Sequence, residues 1–307
     1  MLVHRGLAHK APSSTVLTIG NFDGVHLGHR ALLARLCAAA EAEGLPPTVL
    51  TFEPHPREFF APAAAPTRLS TLREKLELIA DDGVALAWVC HFNAAFAALT
   101  AEAFIERVLV DTLRIRHLII GDDFRFGARR TGDFALLQSA GASFGFRVEA
   151  MQSITLDSER VSSSAVRDAL AGGRIEHAAR LLGRPYSIDG RVVHGAKLGR
   201  QLGFATANIR IKHDRPPLLG VFAVEVRGLG DRALPGVANL GFRPSANATV
   251  RPLLEVHLLD FSGEIYGAHL NVRFLHKLRD EMKFPGVDAL RTQIAADVDT
   301  ARNYFKL

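Results

Sequence analysis

A change of texture near residues 182–185 limits what this chain can fold into more than any other feature. Before it, short apolar runs at 15–20, 48–52, 84–89, 117–120 and 146–151 alternate with helix-like segments at 26–44, 71–80, 100–113 and 132–140. Short buried strands separated by helices call for a parallel sheet with right-handed crossovers. Residues 162–172 and 174–182 read as two short helices broken apart by Gly172 and Gly173. From Tyr186 onward, β-branched and apolar runs at 192–193, 221–226, 253–259 and 270–274 are interrupted by Gly and Pro. No long helix is expected until 287–304, where Leu290, Ile294, Val298 and Ala301 recur at helical spacing. That is the pattern of a small antiparallel barrel or sandwich closed by a C-terminal helix. The expectation is an α/β domain over 1–183 and a β domain over 184–307, which the length of 307 residues accommodates.

Composition excludes little but directs the search. The two cysteines, Cys37 and Cys90, lie in apolar runs without metal-ligand spacing and read as buried thiols of a reducing compartment. The first fourteen residues hold no apolar core of a signal peptide. Residues 83–101 carry no formal charge and are long enough to span a bilayer, but His91 and Asn93 interrupt them. They read better as a strand, a loop and the start of a helix, and the chain as cytoplasmic with no membrane partner. The net charge of +5 suits anionic ligands and equally a solvated surface, because the basic residues are dispersed. With three Tyr, one Trp and most of the 19 Phe inside apolar runs, a nucleic-acid platform is not expected.

The segment GNFDGVHLGHR, residues 20–30, follows a strand and opens a helix. Gly20 and Gly24 permit a tight turn, and Gly28 lets a ligand approach the backbone. His26 and His29 are three apart and share a face of the first helical turn. Free N–H groups and the helix dipole make this end an anion site, which two imidazoles would fit to a polyphosphate.

These residues resemble the His-x-Gly-His signature of nucleotidylyltransferases, and the longer string resembles the FAD synthetase module of bacterial bifunctional riboflavin kinase/FAD synthetases. Three further strings fit: TFEPHP at 51–56, GDDFRFGARRTGD at 121–133 and VSSSAVR at 161–167. The resemblance implies a Rossmann-like first domain that adenylylates FMN to FAD with ATP. Gly20, Phe22, Gly24 and Gly28 would then belong to the ATP site, and His26 and His29 would stabilise charge on the leaving pyrophosphate. Ser162, Ser163, Ser164 and Arg167 would clamp phosphate, and Asp123 and Phe124 would position flavin. Ser164 stands where the family often has Thr. Asp122 and Asp123 read equally well as turn or cap residues.

In the second half, GAKLGRQLGFATAN at 195–208 spaces Gly195, Gly199 and Gly203 four apart, with Lys197 and Arg200 between them. Backbone N–H groups of such a loop can wrap phosphates, and a hairpin turn accounts for it equally. Thr206 and Asn208 face the same way in extended chain and offer hard oxygen ligands for Mg²⁺. The string resembles the riboflavin kinase Gly-rich loop and its Pro-Thr-Ala-Asn motif, with Ala205 in place of the proline. The same resemblance makes Glu255 the base that deprotonates riboflavin and puts Arg279 and Glu281 near the flavin. For Arg279 and Glu281, a charge cluster at the start of a helix is the alternative. It reads NLGFRP at 239–244 as a structural or ligand-shaping turn. The implied small molecules are ATP, riboflavin, FMN and FAD, and the sequence does not set the oligomeric state. Three other readings stand beside this one. A single-activity adenylyltransferase would leave the second domain unexplained. A basic nucleic-acid-binding protein would need clustered charge. A flavin sensor without turnover would be indifferent to Glu255→Ala.

Overall fold

A computed structural model describes residues 1–195, 199, 203–244 and 250–307. The chain forms two compact units, one of Met1–Pro66 with Leu72–Ser162 and one of Thr67–Thr71 with Ser163–Leu307.

The first unit is built on a six-stranded parallel sheet. Its strands are β1 (Leu2–Arg5), β2 (Thr15–Ile19), β3 (Pro47–Glu53), β4 (Leu86–His91), β5 (Ile115–Gly121) and β6 (Arg147–Met151), in the order β1-β4-β3-β2-β5-β6. Its helices are α1 (Leu27–Glu43), α2 (Pro56–Phe60), α3 (Leu72–Asp81), α4 (Ala94–Ala97), α5 (Ala101–Ala103) and α6 (Phe134–Phe144). Strand pleating divides the core between the two faces. Val16, Val49 and Ile119 join Leu33 and Leu36 of α1 on one side. Leu17, Leu50 and Leu118 join Phe104, Ile105 and Leu109 on the other. Covering both faces is why the central strands are rich in Val, Leu and Ile on both sides.

Residues 83–101 form no single helix: β4 and the short α4 occupy them. Among the described residues no helix is long and apolar enough to cross a membrane. The helix expected at 100–113 is capped by the Thr100 hydroxyl, which accepts from the Ala103 N–H, but after one turn it widens into a π-helix over Phe104–Thr112. The Leu113 N–H reaches the Val108 carbonyl at 2.9 Å, and the Thr112 hydroxyl donates to the Arg107 carbonyl at 2.7 Å. Its buried residues, Phe104, Ile105, Val108, Leu109 and Thr112, recur every four, which the wider helix turns toward the sheet.

The second unit begins with α7 (Ser163–Ala171) and α8 (Ile175–Leu182). A closed antiparallel barrel follows, made of β9 (Tyr186–Val193), β10 (Ala207–Arg210), β11 (Gly220–Arg227), β12 (Leu234–Pro244), β13 (Val250–Leu258) and β14 (His269–Arg279); it is numbered here after the two-residue ribbon β7 (Thr155–Leu156) and β8 (Glu159–Arg160) of the first unit. Helix α9 (Val287–Phe305) lays Val298 and Ala301 on Val221, Ala223 and Val237. The segment 239–244, expected as a turn, is the end of strand β12. Ladder pairing from Asn239 with Glu255 through Pro244 with Val250 overrides the turn-like Gly and Pro.

Candidate active sites

In the first unit, β2 runs into a turn whose backbone is strained. Phe22 and Val25 both have positive φ, 50° and 38°, on either side of Gly24 at 79°. A β-branched residue rarely adopts that conformation, so the surroundings must impose it. Both side chains are locked in the core. The turn delivers His26 to the N-cap of α1, where its Nδ1 accepts from the His29 N–H at 3.3 Å. The two imidazoles stack with centroids 3.7 Å apart, and the Phe22 ring lies beneath His29 at 5.1 Å. Because Nδ1 of His26 accepts at the cap, the neutral ring carries its proton on Nε2. A Cβ on Gly28 would sit 3.2 Å from the His26 ring, so the missing side chain makes room for the imidazole.

His26, Gly28 and His29 line a cavity of about 240 Å³ together with Asp122, Asp123, Ser153, Arg160 and Ser162. Asp122 accepts from the Ser153 hydroxyl at 3.1 Å, and Asp123 pairs with Arg160 at 2.6 Å. Phe124 is not among the lining residues; it stacks on Phe126 at 5.7 Å. Phe22 does not line the cavity; its buried ring packs against His29. Ser163, Ser164 and Arg167 open α7 in the second unit, where the Arg167 guanidinium donates to the Thr67 carbonyl.

In the second unit the register of the barrel decides the site. Asn208 pairs with Glu255, Glu255 with Asn239, Asn239 with Val221, and Val221 with Arg279. One cross-strand row thus carries three of the residues singled out in the sequence, Asn208, Glu255 and Arg279. The interior of the barrel takes the alternate residues Leu254, Val256 and Leu258. Glu255 therefore faces outward, yet into a cavity of about 530 Å³ closed by α9 and lined by Gly199, Thr206, Asn239, His257, Arg279, Glu281 and Phe284.

The Gly-rich loop owes its glycines to close approach. A Cβ on Gly195 would collide with the Asn208 side chain, and one on Gly199 with the Phe204 carbonyl and the Thr206 hydroxyl. Gly203 has φ 91°, a left-handed conformation natural to glycine. Lys197 and Arg200 lie outside the described residues. Ala205 is tied at its carbonyl by His257 Nδ1 at 2.8 Å, which fixes the proton on Nδ1. Arg279 is engaged by Asp297 of α9 through contacts of 2.7, 2.9 and 3.1 Å, and Gln293 adds a donor to the same carboxylate. Glu281 rests its carboxylate over Gly241, where any side chain would collide.

Comparison with known proteins decides what the two sites belong to. The profile of the FAD synthetase family matches residues 8–165 and that of the riboflavin kinase family residues 182–305. A bifunctional riboflavin kinase/FMN adenylyltransferase of Escherichia coli (strain K12) is 50% identical over 301 residues, 98% of this chain and 96% of that one. The protein of the same description from Haemophilus influenzae is 48% identical over 307 residues, 99% of each chain. The chain belongs to the bifunctional riboflavin kinase/FMN adenylyltransferase family. A crystal structure described as a macrolide-efflux protein from Streptococcus pneumoniae has the same fold, with a TM-score of 0.85 and 28% identity over 99% of each chain.

Within this family frame, several site residues escaped the sequence reading. Arg160 was hidden in a two-residue strand, and Asp297 read as one polar residue of an amphipathic helix. Phe52, Phe59, Phe60, Phe92 and Phe96 form an aromatic cluster with neighbouring centroids 5.2–5.8 Å apart. Phe60 stays 67% exposed at its edge. The adjacent Phe59 and Phe60, separated from the TFEPHP string by two residues, were the available signal.

Proposed function

We propose that this bifunctional enzyme makes FMN and then FAD, with residues 1–183 responsible for FMN adenylylation and 184–307 for riboflavin phosphorylation. ATP is the donor in both steps; riboflavin enters, FMN is product and then substrate, and FAD with pyrophosphate leaves. Each unit carries a cavity lined by its own motif residues, and that observation carries the two-site reading.

In the kinase step Glu255 takes the proton of the riboflavin 5′-hydroxyl as that oxygen attacks the γ-phosphorus; the bond from the γ-phosphorus to the β,γ-bridging oxygen breaks and ADP leaves. An alcohol needs such a base, and a half-buried carboxylate set between two amides supplies one. Backbone N–H groups at Gly195, Gly199 and Gly203, with Lys197 and Arg200, bind the ATP phosphates. Arg279 and Glu281 shape the flavin end of the cavity, Arg279 doing so while held by Asp297. Thr206 and Asn208 present hard oxygens beside Glu255 and fit a divalent cation, proposed to be Mg²⁺; when bound it would neutralise phosphate charge. In the adenylylation step an FMN phosphate oxygen, already ionised, attacks the α-phosphorus, and no base is required. His26 and His29 stabilise charge on the departing pyrophosphate, with Gly20, Phe22, Gly24 and Gly28 shaping the turn and Ser162 lining the cavity. Phosphate binding by Ser163, Ser164 and Arg167 follows from the family resemblance. Asp123 and Phe124 are assigned to flavin binding on the same ground, and the aromatic cluster around Phe60 offers a ring platform.

The test is a pair of substitutions followed by chromatography of riboflavin, FMN and FAD. His29→Ala should stop FMN adenylylation and leave riboflavin phosphorylation intact; Glu255→Ala should do the reverse. A substitution that leaves its own step at the parent rate removes that residue from the mechanism.

A further inference from the structure

The turn that carries His26 is held from behind by a charge that lines neither cavity. Lys75, on α3, is only 6% exposed. Lysine is seldom buried to that degree, because its ammonium must recover in the protein the hydrogen bonds it gives up in water. Here the ammonium donates to the Asn21 carbonyl at 3.1 Å and to the Thr51 hydroxyl oxygen at 3.1 Å. The Thr51 hydroxyl in turn donates to the same Asn21 carbonyl at 3.4 Å, closing a triangle. Asn21 is the residue between Gly20 and the left-handed Phe22, so the bond grips the turn at the start of its strained stretch. Thr51 is the first residue of the TFEPHP string at the end of β3. The ammonium therefore fastens two separate sequence motifs to each other, and the first of them ends in the stacked histidines.

We infer that Lys75 is a positioning residue for FMN adenylylation: it fixes the Asn21–Val25 turn, and through it the placement of His26 and His29. This deepens the reading of the His26–His29 cavity as the adenylylation site and rests on it. Strained backbone persists only where its surroundings over-determine it. Phe22 and Val25 anchor the turn by their side chains, and Lys75 is its charged anchor at a carbonyl. Without that anchor the turn should relax toward allowed φ values. The histidines would shift by a fraction of an ångström to an ångström, a displacement that costs about 100-fold in rate when catalysis is positional.

The experiment uses the full-length protein with Lys75→Met, which keeps the length of the stem and removes the donors. kcat and KM for FMN adenylylation, riboflavin phosphorylation and the thermal unfolding curve are measured on one preparation. The expected result is a fall in adenylylation kcat on the order of 100-fold with KM for FMN little changed, cooperative unfolding retained and phosphorylation unaltered. If Lys75→Met does not fold, Lys75→Leu, which also removes the donors and fills the buried site, is read in its place for the same split of kcat from KM. Adenylylation within about twofold of the parent per folded molecule would overturn the inference, since a merely structural lysine lowers the folded fraction and not kcat. His29→Ala, assayed in parallel, separates the two failures. An active His29→Ala enzyme sinks the site reading and the inference with it; an inactive one beside active Lys75→Met removes the role of Lys75 alone.

Discussion

Burial pushes the Cys90 thiol up to about 12 from an ordinary 9.0. The thiol is two residues from Trp88 on β4, and Trp88 is the one tryptophan of the chain. Below pH 9 both the folded and the unfolded chain hold this proton, and the group leaves stability independent of pH. Between pH 9 and 12 the unfolded chain releases the proton while the folded chain keeps it, so stability falls as pH rises. The loss should approach about 1.4 kcal/mol per pH unit from this group. Denaturant unfolding followed by Trp88 fluorescence from pH 8 to 11 should therefore show a steeper decline for the parent than for Cys90→Ala. Parallel slopes would contradict the burial argument. Cys37 is raised in the same direction, by burial first and then by the nearby Asp82 carboxylate. At this scale the sequence was legible wherever a residue's role is local. His26 and His29 at the opening of a helix follow from their immediate string, whereas Gly28, read as space for a ligand, makes room for the His26 ring. Lys75, Arg160 and Asp297 do not, because each meets a partner remote in sequence or hidden in an irregular segment, and a charge on a helix reads by default as solvated.

At the level of elements, the Arg279–Asp297 pair joins the last barrel strand to the helix that covers the cavity. Asp297 is buried, so its removal leaves a guanidinium without its carboxylate in a partly dry place. Asp297→Ala should cost about 3 kcal/mol, and Asp297→Asn, which keeps an acceptor, less. The checkable outcome is a lower urea midpoint for loss of riboflavin phosphorylation, with the midpoint for FMN adenylylation unmoved. Elements buried on both sides were the easiest to read: β2, β3 and β5 are rich in Val, Leu, Ile and Thr in sequence and lie inside the sheet. Residues 239–244, the end of β12, were expected as a turn; Gly241 and Pro244 interrupt the strand pattern there, and pairing with β13 supplies the order that propensity lacks. Strand β1 was missed because it is a short edge strand whose Leu2 and Val3 stay exposed and whose parallel partner lies more than eighty residues away.

On the scale of the whole molecule, the two half-reactions have separate cavities lined by different motif residues, so they should be separable and recombinable. An equimolar mixture of the His29→Ala and Glu255→Ala proteins should convert riboflavin to FAD, the first supplying FMN and the second consuming it. Free FMN should accumulate before FAD appears, and adding an unrelated FMN-binding protein should suppress FAD. Failure of the mixture, with each variant active in its remaining step, would mean that FMN must be handed over within a single chain. The β domain was legible as a class from its pattern, and its site residues only through the family resemblance, since a barrel's outer face looks like any solvated surface until α9 is laid across it. The row from Asn208 to Arg279 also makes the kinase hostage to counting. One residue inserted into the middle of β13 would turn every later side chain of that strand inside out, placing Glu255 in the barrel's lumen and Leu254 in the cavity. Length changes in this barrel should therefore be tolerated in the connections and eliminated within the strands, so its evolution is confined to substitution where the chemistry sits.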